Sequence, residues 1–306
     1  MAAQELELTG PTTERAHRLA MAALIGGALV LGATPILVRL TQTGAAASGF
    51  WRLAIALPLL FVIGMRGGKG GSGALSPILV AAGAAFALDL ACWHYGIRFT
   101  SIANATVLPN LTPVLVTLAG WMFLRETPSR FFIIGMAGAV GGAVLMALAS
   151  PGAGARGAHP HLGDILCAST AVWYGLYFLA VRRARASRST LQVMLWSSLV
   201  GAPILLAIAI ALGEAILPIK PWGWAALAGL GVAHVAGQGS IAWALGRLSA
   251  STAALVVLIQ PVAAAGLAWL LFSEQLSVLQ GVGGFLALAG VAFAQIATRT
   301  RTPPAA

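Results

Sequence analysis

The chain has 306 residues, of which 59% are hydrophobic and only 8% are charged, and its mean hydropathy is +0.90. A soluble domain carries roughly 25% charged residues, so this composition excludes a water-soluble fold and indicates a polytopic membrane protein. The net charge of +10 does not indicate nucleic-acid binding, because the basic residues lie in short loops between apolar segments.

Apolar segments follow one another along the chain, each close to the roughly 20 residues that a helix needs to cross a bilayer. The ten predicted spans are residues 19–40, 45–65, 75–97, 101–123, 131–149, 162–182, 190–212, 222–246, 250–272 and 278–297. The first 18 residues are polar and a long apolar run follows them, which favours a retained helix over a cleaved signal peptide. The predicted fold class is an all-α polytopic membrane protein with ten transmembrane helices.

The distribution of basic residues predicts the orientation of these spans. With the N-terminus inside, the inside segments hold 13 Lys and Arg residues and the outside segments hold 5, with Arg52 counted among the outside ones. By the positive-inside rule we expect both termini in the cytoplasm and the protein in a bacterial inner membrane. The two cysteines, Cys92 and Cys167, lie inside apolar segments and suggest no disulfide framework.

A stretch of the fourth span recurs in the ninth. PNLTPVLVTLAGWMFLRE (109–126) and VLIQPVAAAGLAWLLFSE (257–274) share a proline, a tryptophan and a glutamate at a constant offset of 148 residues. The matched residues are Pro113, Trp121 and Glu126, then Pro261, Trp269 and Glu274. Because each half has an odd number of spans, the two halves are predicted to be inverted repeats, which are the usual construction of alternating-access transporters.

The repeat also predicts the domain organisation. The expected parts are a cytoplasmic N-tail (1–18), a first five-helix repeat (19–149), a linker (150–161), a second, inverted five-helix repeat (162–297) and a cytoplasmic C-tail (298–306). The transported substrate is expected near the membrane midplane, between the two halves.

Ionisable residues inside a span are costly and are functional hypotheses by default. Asp89 lies deep inside the third span, where it is interpreted as a proton site, as an anchor for a substrate ammonium group, or as a structural hydrogen-bonding group. His94, nearer the outer end, is interpreted either as a group that titrates near neutral pH or as a histidine at the wet interface.

His234 and Gln238 are four residues apart in the eighth span and so share one helix face. At the 148-residue offset they correspond to Phe86 and Leu90, which predicts that spans 3 and 8 form facing walls of one cavity. An interhelical hydrogen bond is the alternative interpretation of His234.

Pro113 and Pro261 each free a backbone carbonyl one turn earlier, which must find a partner in the protein or in cavity water. Each proline is therefore predicted to mark a kink that lines the pathway and acts in gating, with a static kink as the alternative. Asn110 and Gln260, close to these prolines, are further candidates for the cavity wall.

The tryptophans divide by depth. Those near predicted span ends fit an interfacial aromatic belt, namely Trp51, Trp121, Trp196, Trp222, Trp224 and Trp269. Trp173 lies near the middle of span 6 beside Tyr174 and Tyr177, which indicates either stacking against a solute or ordinary helix packing. Trp93 is open to the same two interpretations.

Glycines recur along one side of spans 5 and 10. This pattern predicts close helix packing, either within the protomer or between two copies.

The third span ends in WHYGIRFTSIANATVL, and the second half contains LGRLSASTAALVVLIQPVAAAGLAWLLFSE. With the predicted ten spans in two halves, these segments resemble the drug/metabolite transporter (DMT) superfamily, EamA family, over nearly the whole chain. They are also similar to YddG-type exporters of aromatic and other bulky neutral amino acids. Those exporters carry a tryptophan in span 1 and another in span 6; Trp173 matches the second, whereas Gly32 stands at the first position. The resemblance implies substrate contact at Trp173.

The sequence therefore predicts a secondary transporter that exports small amphipathic metabolites, above all amino acids, by alternating access around a central cavity. The expected partners are the lipid bilayer, a small-molecule substrate and protons. No phosphate-binding loop, HExxH motif or Cys/His cluster is present in the sequence, so no cofactor, metal or enzymatic activity is expected. Alternatives are drug or metabolite efflux, uptake by the same fold, and a non-transporting membrane scaffold.

Overall fold

The computed structural model describes residues 11–66, 74–99, 108–124, 127–149, 159–272 and 277–299, and in these residues all regular structure is helical. The helices of the first half are α1 (Pro11–Gly32), α2 (Thr34–Leu40), α3 (Ala45–Arg66), α4 (Pro77–Phe99), α5 (Thr112–Leu124) and α6 (Arg130–Leu148). Those of the second half are α7 (Pro160–Arg185), α8 (Thr190–Ala211), α9 (Pro221–Ala233), α10 (Gly239–Leu245), α11 (Ala250–Val257), α12 (Ile259–Phe272) and α13 (Val278–Arg299).

The helices follow the predicted spans closely. Eight stretches in the described part of the chain are long and apolar enough to cross a membrane, as expected of a polytopic membrane protein. The first helix begins at Pro11, earlier than the predicted boundary at residue 19. Glu126 and Glu274, which the repeat matched, lie outside the described residues, as does most of the predicted linker.

Both repeated prolines lie in the first turn of a helix. A 3₁₀ turn (Pro109–Leu111) precedes α5, and Pro113 is the second residue of that helix. Pro113 has no N–H for the carbonyl of Pro109, and the Thr112 hydroxyl donates to that oxygen at 2.7 Å instead. Pro261 is the third residue of α12, just after α11 ends at Val257. The prolines thus occupy first turns, where a missing N–H costs nothing.

Helix contacts occur in matched sets across the two halves. α4 packs along α7 in the same way that α10 and the preceding π-helical turn pack along α1. Likewise α5 contacts α7, and α12 contacts α1. Two further pairs join corresponding helices of the halves directly, because α3 packs against α8 and α6 against α13.

The glycine stripes of α6 and α13 pack against each other within the chain, so the structure selects this alternative over a contact between copies for these residues. A Cβ on Gly142 would lie 2.6 Å from the Gly283 carbonyl oxygen, and one on Gly135 would lie 2.8 Å from the Gly290 carbonyl oxygen. The backbones therefore approach too closely for any side chain. The residues pair crosswise, since Gly283 and Gly290 are the 148-residue counterparts of Gly135 and Gly142.

Candidate functional site

Arg52 is the site residue that the sequence analysis misplaced. It was counted with the outside segments, but α3 begins at Ala45 and carries Arg52 about two turns into the helix, with only 7% of its surface exposed. The signal was available, because the same rule that singled out Asp89 applies to any charge inside an apolar run.

Asp89, on α4, lies within electrostatic range of Arg52 and is also buried. The two side chains do not form an ion pair, since among the described residues their charged atoms stay beyond 4.0 Å. No described side chain or backbone group donates a hydrogen bond to the Asp89 carboxylate. The structure therefore holds two buried, opposite charges that are close but not joined.

Phe86 connects the groups around Arg52. Its ring centroid lies 5.5 Å from Arg52 Cζ, 4.7 Å from the Tyr177 ring and 5.4 Å from the His234 ring. Tyr174 stacks nearly parallel to Tyr177, with the centroids 6.1 Å apart. An aromatic wall from α4 and α7 thus lies against His234.

His234 and Gln238 delimit a π-helical turn (His234–Gln238) between α9 and α10, which the sequence pattern did not predict. Such turns replace regular helical hydrogen bonding and are frequent at functional sites. The Ser198 hydroxyl lies 3.2 Å from His234 Nε2, so one hydrogen bond joins α8 to this turn. Gln238 lies close to the hydroxyl groups of Tyr174 and Tyr177.

We call these residues the central cluster: Arg52, Phe86, Asp89, Tyr174, Tyr177, Ser198, His234 and Gln238. Four of its buried polar atoms have no hydrogen-bond partner among the described residues, namely Arg52 Nε, Tyr177 Oη, His234 Nδ1 and Gln238 Nε2. Each such group costs about 1–3 kcal/mol. The cation–π contact between Arg52 and the Phe86 ring stabilises the site by only about 2 kcal/mol. This is less than the summed cost of the four unpartnered atoms. Buried polar groups inside a membrane protein are by default a functional hypothesis, and these four atoms are free to bind a polar ligand.

A cavity of about 800 Å³ opens at one face of the protein. It is lined by residues 42–44 and 212–215 at its mouth, and deeper by side chains of α4, α7 and α8 that include Leu88, Cys92, Leu166 and Ile208. Asp89 follows Leu88 in the chain but is not itself among the lining residues. In the predicted orientation this mouth opens to the outside.

Glu214 joins three segments of the chain beside the cavity mouth, and we call this set of contacts the clamp. Its carboxylate accepts hydrogen bonds from the backbone N–H groups of Ala46 at 3.2 Å and Ala47 at 2.8 Å, and from the Tyr95 hydroxyl. An anion at a helix N-terminus satisfies donors that the helix itself leaves free. The clamp thus ties the start of α3 to α4 and to the α8–α9 loop. Trp51 supports it by donating to the Ile216 carbonyl at 2.8 Å.

The remaining predicted site residues lie around the cluster rather than in it. Trp173 is half-buried on α7, near the Cys92 thiol. His94 is buried and its ring lies 5.1 Å from that of Trp93. Asn110 and Gln260 each have a buried side-chain nitrogen without a partner. No hydrogen bond or ring contact within the described residues joins these two to the central cluster.

Gly32, where YddG-type exporters have a tryptophan, has no space for a larger side chain. A Cβ at this position would lie 2.6 Å from the Ala263 Cβ and 3.1 Å from the Gln260 carbonyl oxygen. The close contact between α1 and α12 therefore takes the place of an aromatic side chain. In the described part of the chain no group of three or more His, Cys, Asp or Glu side chains could hold a metal ion.

The sequence model of the EamA-like transporter family matches this chain twice, over residues 18–148 and over residues 161–295. The chain is also 28% identical over 237 residues to the pseudopaline exporter CntI of Pseudomonas aeruginosa (strain UCBPP-PA14), an alignment that covers 78% of this chain and 81% of that protein. It is 29% identical over 112 residues to the uncharacterized transporter YetK of Bacillus subtilis (strain 168), over 36% of this chain and 33% of that protein.

A protein of known crystal structure shares the fold, with a TM-score of 0.79 at 18% sequence identity. The superposition covers 93% of this chain and 99% of the other chain. At this identity the similarity describes the helical architecture and carries no information on the substrate.

Proposed function

Because the chain belongs to the EamA-like transporter family, we propose that this multi-pass membrane protein is a secondary transporter that exports small amphipathic metabolites. Amino acids with aromatic or bulky neutral side chains, as in YddG-type exporters, are the first substrate class to test. Export as the direction is supported by the relative that is named as an exporter and aligns over 81% of its length.

The observation that carries this proposal is the central cluster. Buried polar atoms on Arg52, Tyr177, His234 and Gln238, which have no hydrogen-bond partner among the described residues, lie next to an aromatic wall. A ligand with a polar head and an apolar body would form hydrogen bonds with these polar atoms and pack against the aromatic wall. A non-transporting scaffold would have no use for this costly combination.

The proposed mechanism is alternating access between two inverted five-helix repeats. The two matches of the family model, one in each half, support the repeat. The matched helix contacts of α4 with α7 and of α10 with α1 support it as well. Substrate would bind in the central cluster while the bundles rock about it, with the helix breaks before Pro113 and Pro261 bending.

Proton coupling through Asp89 is part of the proposal, with His94 as a second candidate. The groups that face Asp89 are Arg52 on α3 and the tyrosines of α7, and His234 lies behind Phe86. The proposed location is a bacterial inner membrane with both termini in the cytoplasm, which the distribution of Lys and Arg supports.

Counterflow of labelled amino acids in proteoliposomes, with and without a pH gradient, tests this function. We expect accumulation of label driven by unlabelled phenylalanine, tryptophan or leucine inside the vesicles, above vesicles without protein. Pseudopaline is the second substrate to test, because of the named relative. Absence of counterflow for the whole panel, from protein shown to be folded, would refute amino-acid transport.

A further inference from the structure

We propose that Arg52 and Asp89 form a two-point site for a zwitterion, in which the guanidinium binds a carboxylate and the Asp89 carboxylate binds an ammonium group of the same molecule. This inference rests on the proposed transport function and names the chemistry by which the site would select its substrate.

The carboxylate half of the site is the guanidinium of Arg52. It has five N–H donors in a fixed plane that matches the two oxygens of a carboxylate. Nε has no hydrogen-bond partner in the part of the chain that the structure describes, and the guanidinium lies over the face of the Phe86 ring. This leaves the edge of the guanidinium available for an anion.

The ammonium half is Asp89. Its carboxylate accepts no hydrogen bond from the described residues, and the residue is buried, with 8% of its surface exposed. A carboxylate that accepts no hydrogen bond from the described residues has the lone pairs of both oxygens available for an ammonium group. It lies within electrostatic range of Arg52 without direct contact between the charged atoms, and the proposed ligand bridges the two.

The balance of charge argues for a zwitterion rather than a simple anion or cation. Arg52 and Asp89 are the only Asp, Glu, Lys or Arg side chains that are buried within the described residues. A ligand with a single charge would satisfy one of them and leave an excess charge in the membrane interior, which is unfavourable. A ligand with both charges satisfies both and keeps the site neutral.

The neighbouring groups suit the rest of an amino acid. Tyr177 Oη, Gln238 Nε2 and His234 Nδ1 provide further buried polar atoms without partners. The rings of Phe86, Tyr174 and Tyr177 provide an apolar wall at the same depth. The head of the ligand is thus specified by charge, and its side chain by shape and apolar contact.

The test is equilibrium binding to the purified, detergent-solubilised full chain. The probes are L-phenylalanine, phenethylamine and 3-phenylpropionate, together with leucine, isoamylamine and 4-methylpentanoate. Each trio keeps one side chain and removes the carboxylate or the ammonium group in turn. We expect the amino acid to bind about tenfold or more tightly than either analogue, as for loss of one charged hydrogen bond. Equal binding of an analogue, or no binding of either amino acid, overturns the proposal.

Variants assign each half of the site. Arg52→Gln should weaken binding of the amino acid and of the carboxylate analogue but leave the amine unchanged, and Arg52→Lys should restore part of the loss. Asp89→Asn should show the reverse pattern. Arg130→Gln, the same chemical change at an exposed position, should alter neither. If Arg52→Gln weakens the amine as much as the amino acid, Arg52 acts on the structure and the proposal fails.

The two proposals can fail separately. Charge-selective binding without counterflow would leave the zwitterion site standing and remove the transport function. Counterflow of amino acids together with equal binding of their amines or acids would support the transport function and overturn the zwitterion site. Folding of each variant is checked by its thermal unfolding midpoint in detergent, so that lost binding is not mistaken for lost structure.

Discussion

Phe86 and His234 are separated by 148 residues in the chain, yet their ring centroids lie 5.4 Å apart with an interplanar angle of 30°. The separation equals the offset of the repeated proline and tryptophan. In the proposed inverted repeat, a residue that contacts its own counterpart lies close to the axis that relates the two halves. The crosswise pairing of Gly142 with Gly283 and of Gly135 with Gly290 fits the same axis. The central cluster therefore lies where an inverted-repeat transporter would bind its substrate.

The contact between α6 and α13 predicts that Gly142→Ala is destabilising. A Cβ at Gly142 would lie 2.3 Å from the Ala287 nitrogen, whereas one at Gly141 would meet nothing within 4 Å. Overpacking of this kind costs about 1–3 kcal/mol. We expect a lower thermal unfolding midpoint in detergent for Gly142→Ala and an unchanged one for Gly141→Ala. Equal midpoints for the two variants would contradict this close backbone contact.

Asp89→Asn is expected to remove the effect of a pH gradient on transport. Asparagine keeps the size of the side chain but does not ionise, so it cannot take up and release a proton and coupling through this position is lost. In proteoliposomes the flux of the variant should be the same with and without the gradient, whereas the wild-type flux should rise. Glu14→Gln, at an exposed position on α1, serves as the control. Full gradient-driven flux in Asp89→Asn would exclude the residue as the proton carrier.

Glu214→Ala is expected to loosen the start of α3. The substitution removes the acceptor of the Ala46 and Ala47 N–H groups, and loss of a helix N-cap costs about 0.5–2 kcal/mol. Amide hydrogen exchange at these two residues should therefore be about tenfold faster. Glu14→Ala removes an exposed ion pair with Arg18 and should change exchange near residue 46 little. Unchanged protection in Glu214→Ala would show that the clamp does not hold the helix end.

Gly32→Trp is expected to disrupt folding rather than to create an aromatic binding site. The Cβ alone would lie 2.6 Å from the Ala263 Cβ, so an indole ring would force α1 and α12 apart. A Cβ at Gly26, on the same helix, meets nothing within 4 Å, so Gly26→Trp is the matched control. The measurement is the yield of monodisperse protein in size-exclusion chromatography. A normal yield of Gly32→Trp with tighter binding of tryptophan would contradict this prediction.

Much of the helical architecture could be predicted from the sequence. The predicted span 45–65 corresponds to the helix Ala45–Arg66, and the predicted span 190–212 corresponds to the helix Thr190–Ala211. The reason is physical: in lipid every backbone polar group must be satisfied internally, so an apolar run of about 20 residues has the helix as its main solution. The expected position of His234 opposite Phe86 also followed from the repeat offset alone.

The tertiary structure alone decided what surrounds each side chain. Arg52 looks like a span-end charge in the sequence, and only the packing of α3 against α8 and α9 shows that it is buried near Asp89. The π-helical turn, the aromatic contacts of Phe86 and the glycine contact of α6 with α13 depend likewise on residues far apart in the chain. Hydropathy and spacing report how each segment meets the bilayer, whereas the distance between two side chains depends on how the segments pack against one another.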